Sequence, residues 1–120
     1  MPIPSRFLDP TNHDLPFHDL APDVAEALLQ EAGPDLVLLD VRTIPEHGSH
    51  RIPGSTLVPV QELMARVTEL DPARPTLVYC EHGVRSVRAA LFLREQGFQV
   101  IFNLRGGIVA WQGSLEGHSC

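Results

Sequence analysis

A chain of 120 residues is long enough for one domain with a hydrophobic core of its own, without disulfide or metal staples. Its net charge of −6 argues against a nucleic-acid partner, and no apolar run approaches membrane-spanning length. The opening MPIPSRFLDP has no apolar stretch of the secretory kind, so the cytoplasm is the expected location, with Cys80 and Cys120 as free thiols.

Residues 1–14 carry Pro, Asn, Thr and Asp without apolar periodicity and read as a flexible arm. A single domain is expected over 15–113, with 114–120 as a polar tail. FHDL, near residue 18, reads as an edge strand. PDVAEALLQEAG has Pro22 in a first-turn position and stops at Gly33, the usual pair of helix signals. DLVLLD, STLVPV, PTLVYC and QVIFNL are short apolar runs of the kind that suit strands buried on both faces. Between the second and third, Val60, Leu63, Met64, Val67 and Leu70 fall on one helical face. SVRAALFLREQG predicts a helix with Ser86 as N-cap and Gly97 just past its end, and GGIVAWQ a final helical piece. This alternation predicts an α/β fold, a mostly parallel sheet of about five strands with helices on both faces. Ligands of such sheets bind beyond the carboxyl ends of the strands, where PTLVYC delivers Cys80.

A cysteine closing an apolar strand is compatible with an inert core residue. The sequence that follows, VYCEHGVRS, offers a second reading. Five residues must turn the chain from strand to helix between Cys80 and Ser86, and Gly83 permits a left-handed turn there. The N–H groups of such a loop converge at a helix N-terminus and, with Arg85, favour an anionic sulfur at Cys80. That is the setting of a nucleophile.

The same stretch resembles the active-site loop of rhodanese-like sulfurtransferases, Cys-x-x-Gly-x-Arg/Thr-Ser/Ala after a buried strand. LLDVRTIPEHGSHRIPGSTLVP is similar to a second family segment through Asp40, Val41, Arg42, Glu46, Ile52, Pro53 and Gly54. NLRGGIVAW is similar to a third through Leu104, Gly106, Gly107 and Trp111. The three keep the family's order over roughly residues 16 to 112. Two departures stand out: His50-Arg51 replaces the family's Gly-His with Ser55 in place of its Ala, expected to alter a surface loop and not the chemistry, and Glu81 stands in a loop where members that favour thiosulfate often carry basic residues. The resemblance implies a rhodanese-like fold and a ping-pong sulfur transfer. Cys80 takes the sulfane sulfur of a donor, thiosulfate or a persulfide, and holds it as a persulfide. Cyanide, a thiol or a sulfur-carrier protein then removes it, and a desulfurase is a further candidate partner. The chemistry requires no metal or organic cofactor. Glu81, His82, Gly83, Val84 and Arg85 are the expected sulfur-binding loop, with Asp40, Arg42, Glu46 and Ser86 in support.

The remaining residues divide between chemistry and structure. Arg42 and Glu46, four apart, are expected to pair and brace the loop. Asp40 is expected to supply a supporting hydrogen bond. His47 and His50 have a spacing compatible with a metal, yet no third ligand stands at a matching distance in sequence. His82 is expected to point outward and Trp111 to pack in the core. Glu81, directly after the nucleophile, disfavours a dianionic donor such as thiosulfate. Two other functions compete: a cysteine-dependent phosphatase or arsenate reductase, whose loops are one residue longer than the six from Cys80 to Arg85, and a non-catalytic rhodanese-like binding module, which would not need Cys80.

Overall fold

The structure, a computed structural model, describes residues 3–8 and 16–117. Its five strands are β1 (His18–Leu20), β2 (Val37–Asp40), β3 (Thr56–Leu57), β4 (Thr76–Tyr79) and β5 (Ile101–Leu104). All pair in parallel in the order β1-β5-β4-β2-β3. The edge strand expected at FHDL is β1. The sheet is therefore an α/β sheet of the expected kind, and β4 lies at its centre between β5 and β2.

Alternation along the strands decides which helix covers which face. Leu38, Leu77, Tyr79, Phe102 and Leu104 pack with Ala25, Leu28 and Ala32 of α1 (Pro22–Ala32). Leu39, Val41, Val78, Cys80 and Ile101 pack on the opposite face with Ala89, Ala90 and Leu93 of α4 (Val84–Glu95). Parity thus places Cys80 on the α4 face. The short helices α2 (Ile44–Ser49) and α3 (Leu63–Arg66) complete the set. Trp111 is buried in the α1 layer, where its indole N–H donates to the Ser114 carbonyl at 3.1 Å.

Several expectations change. The helix expected over Val60–Leu70 breaks into a 3-10 turn, the single turn of α3 and a second 3-10 turn. No side chain caps its start, and the β-branched Val67 and Thr68 stand where it would continue. Leu63 turns inward while Met64 is 77% exposed. The GGIVAWQ segment supplies one 3-10 turn, Ile108–Ala110. Within the expected arm, Ser5–Phe7 form a 3-10 turn whose Phe7 is buried in the α1 layer, because an aromatic ring gains more from that contact than from water. The expected tail is engaged as well: Arg51 and Glu116 form an antiparallel bridge and an ion pair, a use for the arginine that departs from the family's Gly-His. Cys120 lies outside the described residues. Among the described residues, no helix is long and apolar enough to cross a membrane.

Candidate active site

The carboxyl ends of β2, β4 and β5 converge on the loop that follows β4. Gly83, with φ 95°, turns that loop into α4 and is its N-cap, so the helix starts earlier than a Ser86 cap predicts. Ser86 is instead buried in the first turn. Its hydroxyl oxygen stands 3.4 Å from the Cys80 sulfur, which donates to it. The Gly83 N–H donates to the same sulfur at 3.0 Å. Cys80 is 1% exposed, at the end of a twelve-residue helix whose first N–H groups have no intrahelical acceptor.

The turn after β5 fixes the backbone under this loop. Ile108 N–H donates to the Cys80 carbonyl at 2.8 Å and Val109 N–H to the Glu81 carbonyl at 3.2 Å. A Cβ on Gly107, whose φ is 73°, would collide with the Glu81 carbonyl, and one on Gly83 would press on the Gly106 nitrogen at 3.2 Å. Both close approaches require glycine. The double glycine of NLRGGIVAW is the visible signal for this brace in the sequence.

Around the loop the charges pair differently from expectation. Arg42 does not meet Glu46. Its guanidinium, fully buried, binds Asp40 bidentately through Nε at 3.0 Å and Nη2 at 2.8 Å, donates to the His50 carbonyl at 2.6 Å, and reaches Glu81 Oε1 through Nη1 at 3.1 Å. Glu46 sits one turn into α2 and turns to Arg85, which it holds through two bonds of 2.8 and 2.9 Å. The reason is local: Thr43 and Glu46 form a capping box at the start of α2, and that directs the Glu46 carboxylate away from Arg42. The Glu81 carboxylate is not a bare charge facing a donor. It is tied to Arg42.

Asp40 is the hub. Burial pushes its carboxyl up, but hydrogen bonds from Arg42 and then His47 outweigh that and hold it below the usual carboxylate range. His47 Nδ1 lies 2.8 Å from Asp40 Oδ2, so this ring is committed to the carboxylate, and no trio of metal-ligating side chains gathers among the described residues. The Tyr79 hydroxyl donates to the same oxygen at 3.1 Å, with Ser55 Oγ 3.1 Å away and Ile52 N–H donating to it at 3.2 Å. Burial pushes the Tyr79 phenol up to about 12, keeping it a donor at neutral pH. Ser55 therefore joins the buried network rather than only a surface loop. Asp40 has no bond to Cys80. His82 is exposed, and Val84 is 68% exposed at the loop's outer edge.

A cavity of about 420 Å³ lies at the other end of the strands, against Gly33, Pro34, Val37, Thr56 and Arg74. Its lining contains no cysteine, carboxylate or imidazole and does not include Cys80.

A parallel α/β sheet that carries a buried cysteine into a strand-to-helix loop places the chain in a class of folds in which backbone amides hold a thiol at a helix N-terminus. The comparisons narrow that class. The model of the rhodanese-like domain family matches residues 21–114. A sulfurtransferase of Allochromatium vinosum is 38% identical over 77 residues, 64% of this chain and 72% of that protein. Thiosulfate sulfurtransferase GlpE of Pseudoalteromonas translucida is 31% identical over 82 residues, 68% of this chain and 78% of that protein. The crystal structure of a rhodanese-like domain protein from Staphylococcus aureus is similar with a TM-score of 0.75 at 27% identity, covering 84% of this chain and 98% of that one. The chain belongs to the rhodanese-like domain family.

Proposed function

We propose that the protein is a sulfurtransferase that carries a sulfane sulfur on Cys80. The observation that supports this reading best is the sulfur of Cys80 accepting the Gly83 N–H at 3.0 Å at the head of α4. A negative sulfur there is met by fixed donors that need no rearrangement when charge develops. The Cys80 thiolate attacks the outer sulfur of a donor. A new S–S bond forms, the donor's bond to that sulfur breaks, and the donor leaves as sulfite or a thiolate. In the second half-reaction cyanide or a thiolate takes the outer sulfur and the bonding electrons return to Cys80. Ser86 holds the sulfur in line, and the Asp40–Arg42–Glu81 network keeps the loop in place. The candidate partners are a small sulfur donor, a thiol or cyanide acceptor, and a sulfur-carrier or desulfurase protein. A free thiol nucleophile of this kind works in a reducing compartment, the cytoplasm.

Intact mass after incubation with thiosulfate, and separately with glutathione persulfide, tests the reading. A gain of one sulfur atom is expected, discharged by cyanide and absent in Cys80→Ser, whereas Cys120→Ser loads normally. Loading that survives Cys80→Ser would overturn it.

A further inference from the structure

His47 joins α2 to the buried pair of Asp40 and Arg42. Its Nδ1 lies 2.8 Å from Asp40 Oδ2, and 18% of its side chain reaches solvent. Asp40 is held below the usual carboxylate range despite its burial, and it accepts from Arg42 and Tyr79 as well. An ionised carboxylate only accepts, so Nδ1 carries a proton whether the ring is neutral or charged. The bond to Asp40 therefore survives titration, and the proton exchanged with solvent is the one on Nε2.

That second proton alters a charge balance. Arg42 spends Nε and Nη2 on Asp40 and Nη1 on Glu81, so two carboxylates divide one guanidinium. Arg85, bound by Glu46, lies within electrostatic reach of both Glu81 and Cys80. Three carboxylates, Asp40, Glu46 and Glu81, thus meet two guanidinium groups, which leaves one negative charge in excess. Imidazole is the side chain that changes charge near neutrality, and a protonated His47 cancels that excess. The other groups around it are engaged. The Tyr79 phenol stays a neutral donor, Arg51 donates to the His47 carbonyl at 3.2 Å and pairs with Glu116, and His50 Nδ1 lies 3.4 Å from the Ser49 hydroxyl.

We infer that His47 is a positioning residue for the Cys80 loop, and that its protonation eases the demand of Asp40 on Arg42, strengthens the hold of Arg42 on Glu81 and lowers the negative charge beside Cys80. The effect reaches the loop through contacts of 2.8, 2.8 and 3.1 Å in series. An anionic donor, or the thiolate itself, then meets less repulsion on the acid side of neutrality. The consequence for catalysis rests on the sulfurtransferase reading; the coupling of His47 to the thiol does not.

The test is the pH profile of thiosulfate:cyanide transfer for the native chain, His47→Asn and His47→Ala. Asparagine places an amide N–H where Nδ1–H stands and never takes a charge, whereas alanine removes the donor as well. The other histidines are common to all three proteins and cancel in ratios of rates. The native-to-Asn ratio of kcat/KM should be near one at about pH 8.5 and about threefold at about pH 6, on either side of the imidazole range. The acid gain should shrink at high salt, and His47→Ala should be slower than His47→Asn at every pH. Alkylation of Cys80 by iodoacetamide, in a Cys120→Ser background, reads the thiolate with no sulfur transfer and should give the same ratio. A ratio that stays flat across pH in either assay, or falls below one in acid, overturns the inference, as does His47→Ala matching His47→Asn throughout. Absence of sulfur transfer in every protein, with the alkylation ratio intact, would instead remove the sulfurtransferase reading and leave the coupling standing.

Discussion

Arg42 Nη1 donates to Glu81 Oε1 at 3.1 Å, joining the end of β2 to the loop that follows β4 across 39 positions of sequence. Arg42 itself is fully buried, while the Glu81 side chain keeps 22% of its surface in solvent. The carboxylate thus belongs half to the network and half to the mouth. It still raises the cost of bringing a dianion to Cys80, and its removal should favour thiosulfate. Glu81→Gln keeps an acceptor for Arg42 and removes the charge. Thiosulfate:cyanide transfer is expected to rise about fivefold in kcat/KM, equivalent to about 1 kcal/mol after screening, and the gain should shrink at high salt. Identical KM values for the two proteins at low ionic strength would show that Glu81 has no influence on the donor.

Asp40→Asn addresses the other side of Arg42. Both partners are fully buried, and an unmatched buried guanidinium costs far more than an exposed one. The variant should lose about 3 kcal/mol of stability in urea denaturation, and its loop should become mobile enough to lower kcat. A loss under about 1 kcal/mol would mean that water or Glu81 replaces Asp40 without difficulty.

The outline of this site was legible in sequence because its parts are local. Cys80, Gly83 and Arg85 occupy one loop, and the apolar runs on either side set the strands that carry it. The pairings were not legible, because they are choices among partners distant in sequence. Spacing alone joined Arg42 to Glu46. A capping box at Thr43 turned Glu46 to Arg85 and left Arg42 to Asp40 and Glu81. In PTLVYC, Tyr79 looks like one more apolar strand residue, yet its hydroxyl completes the Asp40 hub. Met64 was placed inward by a period that holds for a continuous helix, and the 3-10 turns on either side of α3 shift that period.

Gly107 tests the brace under the loop. Its positive φ and the contact with the Glu81 carbonyl leave no room for a side chain. Gly107→Ala must push the turn away from the loop, loosening the bonds from Ile108 and Val109. A destabilisation of about 2 kcal/mol is expected, with kcat reduced more than KM is raised. Unchanged kcat in a folded variant would separate the brace from catalysis.

Glu46 gives the site its acid limit. Its hydrogen bonds from Arg85 outweigh the opposing effect of burial, and with Thr43 they bring its carboxyl down to about 2. The group binds protons more readily unfolded than folded, so its contribution is complete above the ordinary glutamate range near 4.5. The contribution falls away as pH drops from there toward about 2. Roughly a third of each side chain in the pair remains in solvent, with 33% of Arg85 and 30% of Glu46 exposed. Screening reduces the contribution to about 1 kcal/mol. Urea denaturation of the native chain and of Glu46→Gln, at several pH values between neutrality and pH 2, isolates it, because other titrating groups, Asp40 among them, are common to both proteins. The native chain should be the more stable by about 1 kcal/mol at neutral pH, and the two should converge in acid. A gap that stays constant down to the lowest pH would show that Glu46 acts through its capping geometry alone, and the ion pair to Arg85 would then carry none of the stability of the loop.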